Sequence, residues 1–186
     1  MIKKIISFAL VYLFAVTFGK AQDKYFTKEG KITFYSKTPI EEFDAINSTG
    51  LSIIDTKTGA IEMSVLIKAF EFKKDLMQQH FNENYMESDK FPKAVFKGTI
   101  SNIAEVNFTK PGTYKAGIDG KLTMHGVTRD ITCDAIFIVS IAGVMAKSEF
   151  IVVLDDYNIK IPGVVKNQIS QQIKVEIDNT YNPYAK

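Results

Sequence analysis

The sequence predicts an all-β fold, an antiparallel sheet of about eight strands with one short helix, and three observations carry that prediction. Residues 112–132 alternate: Tyr114, Ala116, Ile118, Gly120, Leu122 and Met124 share one parity, and Lys115, Asp119, Lys121, Thr123 and His125 share the other. Successive strand side chains point to opposite faces, so this is a long strand with one apolar and one wet face. Similar half-apolar runs recur along the chain between turns rich in Gly, Pro, Asn and Asp. Only one short segment switches to a helical period. A sheet closed on itself would remove the exposed edges that template aggregation. A two-sheet sandwich alternates in and out in the same way, so alternation alone leaves both open.

The elements follow in chain order. A first strand is expected over residues 31–36, with Ile32 and Phe34 on one face. Pro39 ends it, because proline donates no ladder hydrogen bond. Residues 43–47 read as a short second strand, continued over 51–56. Lys57, Thr58 and Gly59 turn the chain into residues 60–69, where Ile61, Met63, Val65 and Ile67 recur at period two. The period then changes. Phe72, Leu76 and His80 fall four residues apart and Met77 pairs with Phe81, predicting a helix over about residues 73–82. One this short needs tertiary support.

Strand periodicity resumes after Pro92. Ala94, Phe96, Gly98 and Ile100 share a face, and the run is expected to continue through Phe108 to the turn Lys110-Pro111-Gly112. The central hairpin turns at His125-Gly126, where Gly126 supplies a positive φ. Val127, Arg129, Ile131 and Cys133 open its second strand. After a turn near Ala142-Gly143, Ala146, Ser148, Phe150, Val152 and Leu154 alternate against polar and β-branched neighbours. The last strand is expected over residues 169–177.

Ahead of the sheet lie a basic start with Lys3 and Lys4, an apolar run over residues 5–18, and the small residues Gly19 and Ala21. That order reads as a secretory signal peptide spanning residues 1–21, leaving 22–186 as a single domain. The run is shorter than the ~20 apolar residues of a membrane span. No cysteine stands at the cut to carry a lipid, so no stable membrane anchor is expected after cleavage. The mature protein is expected in the periplasm or secreted. Losing Lys3, Lys4 and Lys20 takes the formal charge from +2 to −1. With no dense Lys/Arg run either, nucleic acid is excluded as a partner.

Cys133 is the sole cysteine, so no intrachain disulfide can form, and its parity with Ile131 and Phe137 suggests a buried thiol. His80 and His125, the two histidines, lack zinc-ligand spacing. Asp155 and Asp156 are too few acids for a calcium loop. No Ser or Cys sits in a nucleophile motif. No catalytic residue, metal site or cofactor is assigned.

Two blocks carry a family resemblance. Gly120-Lys121-Leu122-Thr123-Met124-His125-Gly126-Val127-Thr128-Arg129 resembles the Gly-x-Leu-Thr-aliphatic-His-Gly-Val-Thr-Lys/Arg signature of the YceI-like family. Phe91-Pro92-Lys93-Ala94-Val95-Phe96-Lys97-Gly98 resembles that family's upstream aromatic-Pro-x-x-x-Phe-x-Gly/Ser block. The sequence departs from the pattern after the first strand, where the family would place a His and this chain has Ser36-Lys37-Thr38-Pro39. The resemblance implies a closed, lipocalin-like barrel over the sandwich. It also implies a polyisoprenoid or similar lipid as ligand in an apolar interior.

The inner faces carry small residues among larger ones: Ala94 and Gly98, Ala116 and Gly120, Cys133 and Ala135, Ala146 and Ser148. Protein interiors are close-packed, and an eight-stranded barrel is either just filled by its side chains or holds one small ligand. Small side chains on several strands point to the second case, unless large neighbours reach across and fill the space. From the alternation, the ligand-facing residues are Phe34, Phe96, Gly98, Tyr114, Ala116, Ile118, Leu122 and Phe150, with His80 on the helix as a contact at the mouth. The expected function is an exported protein that sequesters an isoprenoid or other long-chain lipid. The chain would lie inside with its polar end near the mouth, and affinity would come from buried apolar area at ~25 cal/mol per Å². Two other classes stay open: a filled barrel working through its outer surface as a protein-interaction or stress-response module, and an enzyme on a lipid or quinone-like substrate.

Overall fold

The computed structural model describes residues 23–184. The signal peptide expected over residues 1–21 lies outside them. The strands are β1 (Lys24–Lys37), β2 (Glu42–Asp55), β3 (Ala60–Leu66), β4 (Glu71–Phe72), β5 (Lys93–Ile100), β6 (Gly112–Met124), β7 (Val127–Ser140), β8 (Gly143–Val153) and β9 (Gln172–Pro183), with one α-helix, α1 (Asp75–His80). Eight strands pair in the order β1-β9-β8-β7-β6-β5-β3-β2, and β2 pairs back onto β1. Every neighbouring pair is antiparallel. The sheet is therefore a closed barrel, and the sandwich is excluded. The short β4 pairs with β2 beside the barrel.

Several boundaries differ from the sequence expectation, each for a local reason. β1 and β2 are both longer than expected, because Gly30 and Gly50 interrupt their apolar alternation. The two glycines face each other across the pair, with register shifts on either side of Gly30. A Cβ on either would come within 2.9 Å of the other's carbonyl oxygen, so glycine is required by backbone approach. The β5 run does not continue to Phe108. Asn102 diverts it: its side-chain oxygen accepts the N–H of Gly117 at 3.0 Å and its amide donates to the Lys115 carbonyl at 3.3 Å, replacing ladder bonds. The chain then folds under the barrel and buries Val106 and Phe108. β9 starts at Gln172, later than expected, and runs on to Pro183, an extension that the polar inward residue Asn179 masks in the sequence. The β6–β7 turn has positive φ at both His125 (51°) and Gly126 (74°), the geometry of a type I′ hairpin turn.

The connections divide the barrel into two ends. Residues 56–59, 101–111 and 141–142, together with the ends of the described chain, lie at one. Residues 38–41, 67–92, 125–126 and 154–171 lie at the other. The first end is packed shut. Ile54, Ile100, Val106, Phe108, Ala116, Phe137, Val139 and Val144 form one buried cluster, and the Phe108 and Phe137 rings meet edge to face at 5.4 Å.

Candidate functional site

The other end is hollow. A cavity of about 560 Å³ occupies the barrel beneath the long connections, inside the ~300–1,000 Å³ range of small-molecule pockets. All eight barrel strands line it. Its wall includes Phe34 from β1, Met63 from β3, Phe96 from β5, Leu122 from β6, Ile131 from β7, Phe150 from β8 and Val175 from β9. Polar side chains are few: Lys147 and Ser148 come from β8 in the wall, and the others lie toward the two extremes. Glu41, Lys74, His80 and Gln168 border the mouth, and Asn179 and Tyr181 lie at the deep end.

The cover over the mouth is built from two segments. In the first, α1 has no buried residue, and Leu76 is 62% exposed although it borders the cavity. The helix continues as a π-helical turn over Phe81–Tyr85, in which the Met86 N–H reaches back to the Phe81 carbonyl at 2.9 Å. An isolated helix this short is not self-sustaining; an aromatic cluster holds it down. Phe81 packs against Phe34, Phe70 and Phe72 with ring centroids 5.4, 5.8 and 5.0 Å away. Such pairs add ~0.5–1.5 kcal/mol each beyond area burial. The ion pairs Lys73–Asp44 and Lys74–Glu41 are exposed and contribute little.

His125 joins that segment to the second one. Its Nδ1 lies 2.9 Å from the Tyr157 carbonyl, which can only accept, so Nδ1 carries a proton. Its Nε2 lies 3.0 Å from a Glu87 carboxylate oxygen, and Phe91 packs edge-on against the ring at 4.8 Å. One side chain on the hairpin turn thus ties residues 67–92 to residues 154–171. The sequence showed the turn but not this contact, because both partners are distant in the chain. His125→Asn keeps a residue that tolerates positive φ but removes the reach to Glu87. We expect bound ligand to leave several-fold faster from this variant, with the fold retained, in a ligand-exchange measurement.

Of the residues the alternation assigned to the ligand, Phe34, Phe96, Ile118, Leu122 and Phe150 line the cavity, and His80 borders its mouth. Gly98, Tyr114 and Ala116 do not. Ala116 is 4% exposed within the packed end. Tyr114 belongs to the same end, its hydroxyl donating to the Lys110 carbonyl at 2.9 Å. Gly98 stands opposite Gly120, and a Cβ on either would come within 2.5 Å of the Phe96 Cζ. The glycines make room for the Phe96 ring against the barrel wall, not for ligand. Parity correctly places these three inside, but it cannot tell the packed half from the hollow one. Cys133, read from sequence as a buried thiol, is half-buried and lines the cavity, and burial pushes its pKa up. Among the described residues, no three His, Cys, Asp or Glu side chains come together as a metal site.

The barrel is similar to solved structures. One is a polyisoprenoid binding domain from Saccharophagus degradans implicated in plant cell wall breakdown, with a TM-score of 0.76 at 14% identity over 88% of this chain and 99% of that one. BcnA of Burkholderia cenocepacia gives 0.67 at 15% identity over 82% and 95%. The Campylobacter jejuni YCEI protein gives 0.57 at 15% identity over 74% and 81%. At these identities the likeness is one of fold. No curated protein matches the chain. The sequence model of the YceI-like domain matches residues 15–181, nearly the whole chain, and the protein belongs to the YceI-like family.

Proposed function

We propose that the protein is an exported lipid-binding protein that holds an isoprenoid or similar long-chain apolar ligand inside its barrel. The observation that carries this reading is the cavity itself: about 560 Å³, walled by aliphatic and aromatic side chains from every barrel strand. Packed interiors do not leave such a volume, and apolar lining selects apolar ligands. The likeness to a polyisoprenoid binding domain supports the same class. Binding is by burial of an apolar chain, which the aliphatic and aromatic lining supports. Among the described residues no helix is long and apolar enough to cross a membrane, and the basic, apolar, small-residue start directs export, with the mature chain beginning at Gln22.

Cys133 provides the test. As the sole cysteine and a cavity-lining one, it reports occupancy without engineering. Delipidated protein should react slowly with a small neutral thiol reagent at alkaline pH, since burial raises the thiol's pKa. Adding a long-chain prenyl alcohol should slow the reaction at least about tenfold, and the intact mass of the secreted form should correspond to a chain starting at Gln22. Labelling unaffected by any apolar chain would remove the binding function.

A further inference from the structure

Single apolar side chains on a surface are ordinary; their placement on this barrel is not. Ile40 (68%), Leu76 (62%), Ile141 (100%) and Val164 (89%) are the most exposed large apolar side chains among the described residues. Ile40, Leu76 and Val164 stand on three separate connections at the mouth, and only Ile141 lies at the closed end. Val164 occupies a tight turn over Gly163–Val165, in which the Val165 N–H donates to the Pro162 carbonyl at 3.0 Å. The turn sets Val165 against the cavity and leaves Val164 outside. A Cβ on Gly163 would meet nothing within 4 Å, so the tip stands free of the barrel. Its base is fixed: Ile159 is buried, Ile169 lines the cavity, and the Ser170 N–H donates to Ser36 Oγ at 3.0 Å.

The charge around this tip is of one sign. Residues 157–175 contain Lys160, Lys166 and Lys174 and no Asp or Glu. Lys174 is committed to Glu176. Lys160 and Lys166 are exposed and have no ion-pair partner among the described residues. Pro39 and Ile40 share a shallow groove with Lys166, Asn167 and Ile169, which brings a second exposed apolar side chain to the same lobe. The neighbouring Glu41 lies 3.6 Å from Lys74 and is offset by it. Across the mouth, Asp75 stands beside Leu76, so the basic character belongs to the Val164 lobe and not to the whole rim. Exposed apolar side chains between unpaired lysines suit the boundary of an anionic bilayer, where buried apolar area and attraction to the headgroups add.

We propose that the lobe over residues 160–169, together with Ile40, is a docking surface for an anionic phospholipid bilayer. Val164 and Ile40 enter the boundary between headgroups and acyl chains, and Lys160 and Lys166 lie against the phosphates. Val165, Gln168 and Ile169 of the same lobe border the cavity, so docking places the mouth against the membrane. An apolar ligand then passes between bilayer and barrel without exposing its chain to water, which is costly. That consequence rests on the lipid-binding reading above; the docking itself does not. Two apolar side chains and two lysines give weak, salt-sensitive and reversible attachment, which suits a protein that leaves with its cargo.

The test is co-sedimentation of the mature protein with vesicles of phosphatidylglycerol and with vesicles of phosphatidylcholine. Binding to the anionic vesicles should be at least about tenfold tighter and should fall as salt rises. Val164→Glu, and separately Lys160→Glu combined with Lys166→Glu, should each weaken it at least about tenfold. Ile141→Glu, at the closed end, should leave it unchanged. All of these variants should still take up a prenyl alcohol from solution, which shows that the barrel is intact. The chain has no tryptophan, so Val164→Trp supplies a sole reporter that requires no loss of binding. Its emission should shift to the blue on anionic vesicles and be quenched by brominated acyl chains. An unquenched Val164→Trp, equal binding to the two kinds of vesicle, or equal loss from Val164→Glu and Ile141→Glu would overturn the proposal and leave the lipid-binding reading standing. A parent protein that docks on anionic vesicles but takes up no prenyl alcohol would remove that reading instead and keep the docking surface.

Discussion

Phe137→Ala should destabilise the barrel by about 3–5 kcal/mol, the usual cost of truncating a large buried aromatic. Phe137 is 1% exposed, the largest fully buried side chain among the described residues, and lines the cavity from the packed end. It packs edge to face on Phe108, which the 101–111 connection folds beneath the barrel. The loss combines the transfer of the ring with the void it leaves, because strands on both sides of β7 are held by their ladders and cannot collapse inward. Domains of this size are stable by roughly 5–15 kcal/mol, so the loss is a large fraction of the whole. Denaturant unfolding of ligand-free protein reads it directly; a shift below about 1 kcal/mol would mean that the packed end does not anchor the fold.

Val175→Trp should do the opposite: leave stability within about 1 kcal/mol and lower lipid affinity at least about a hundredfold, since each ~1.4 kcal/mol of lost binding is a factor of ten. Val175 is partly buried on β9, opposite Phe34 on one side and Phe150 on the other, and all three line the cavity. An indole there enters existing space instead of pushing neighbours off their rotamers, which is what makes overpacking costly. Ala116→Phe is the matched control. Ala116 alternates inward just as Val175 does but lies in the packed end. Its enlargement should cost ~1–3 kcal/mol and leave affinity in the folded fraction nearly unchanged. Both measurements belong on delipidated protein, because bound ligand stabilises the folded state by mass action.

The contrast between these two positions shows what was legible in the sequence. Period-two alternation and the turn at His125-Gly126 gave the barrel strands, and the switch to a four-residue spacing at Phe72, Leu76 and His80 gave the helix over the mouth. Alternation reports in or out, not height along the barrel axis. It therefore grouped Ala116 and Tyr114 with Leu122 and Phe150, although the first two belong to the packed end. Height depends on which connections fold back over an end, and Phe108 does so only because Asn102 interrupts β5 and β6. Two glycine pairs misled in different ways. Gly30 and Gly50 broke the periodicity of strands that are continuous. Gly98 and Gly120 looked like space for ligand but accommodate Phe96. Asn179 hid as a polar interruption of the last strand, and it is a buried residue hydrogen-bonded to Tyr181, which meets Ser52 only in the fold.

The account stands on the hollow half of the barrel being a lipid site. The most direct measurement is mass spectrometry of the solvent extract from protein purified under native conditions from its own source. The account predicts about one equivalent of a long-chain isoprenoid or comparable lipid per chain, absent from the extract of Val175→Trp prepared in the same way. Extracts of the two proteins that are alike, with no lipid in either, would contradict it.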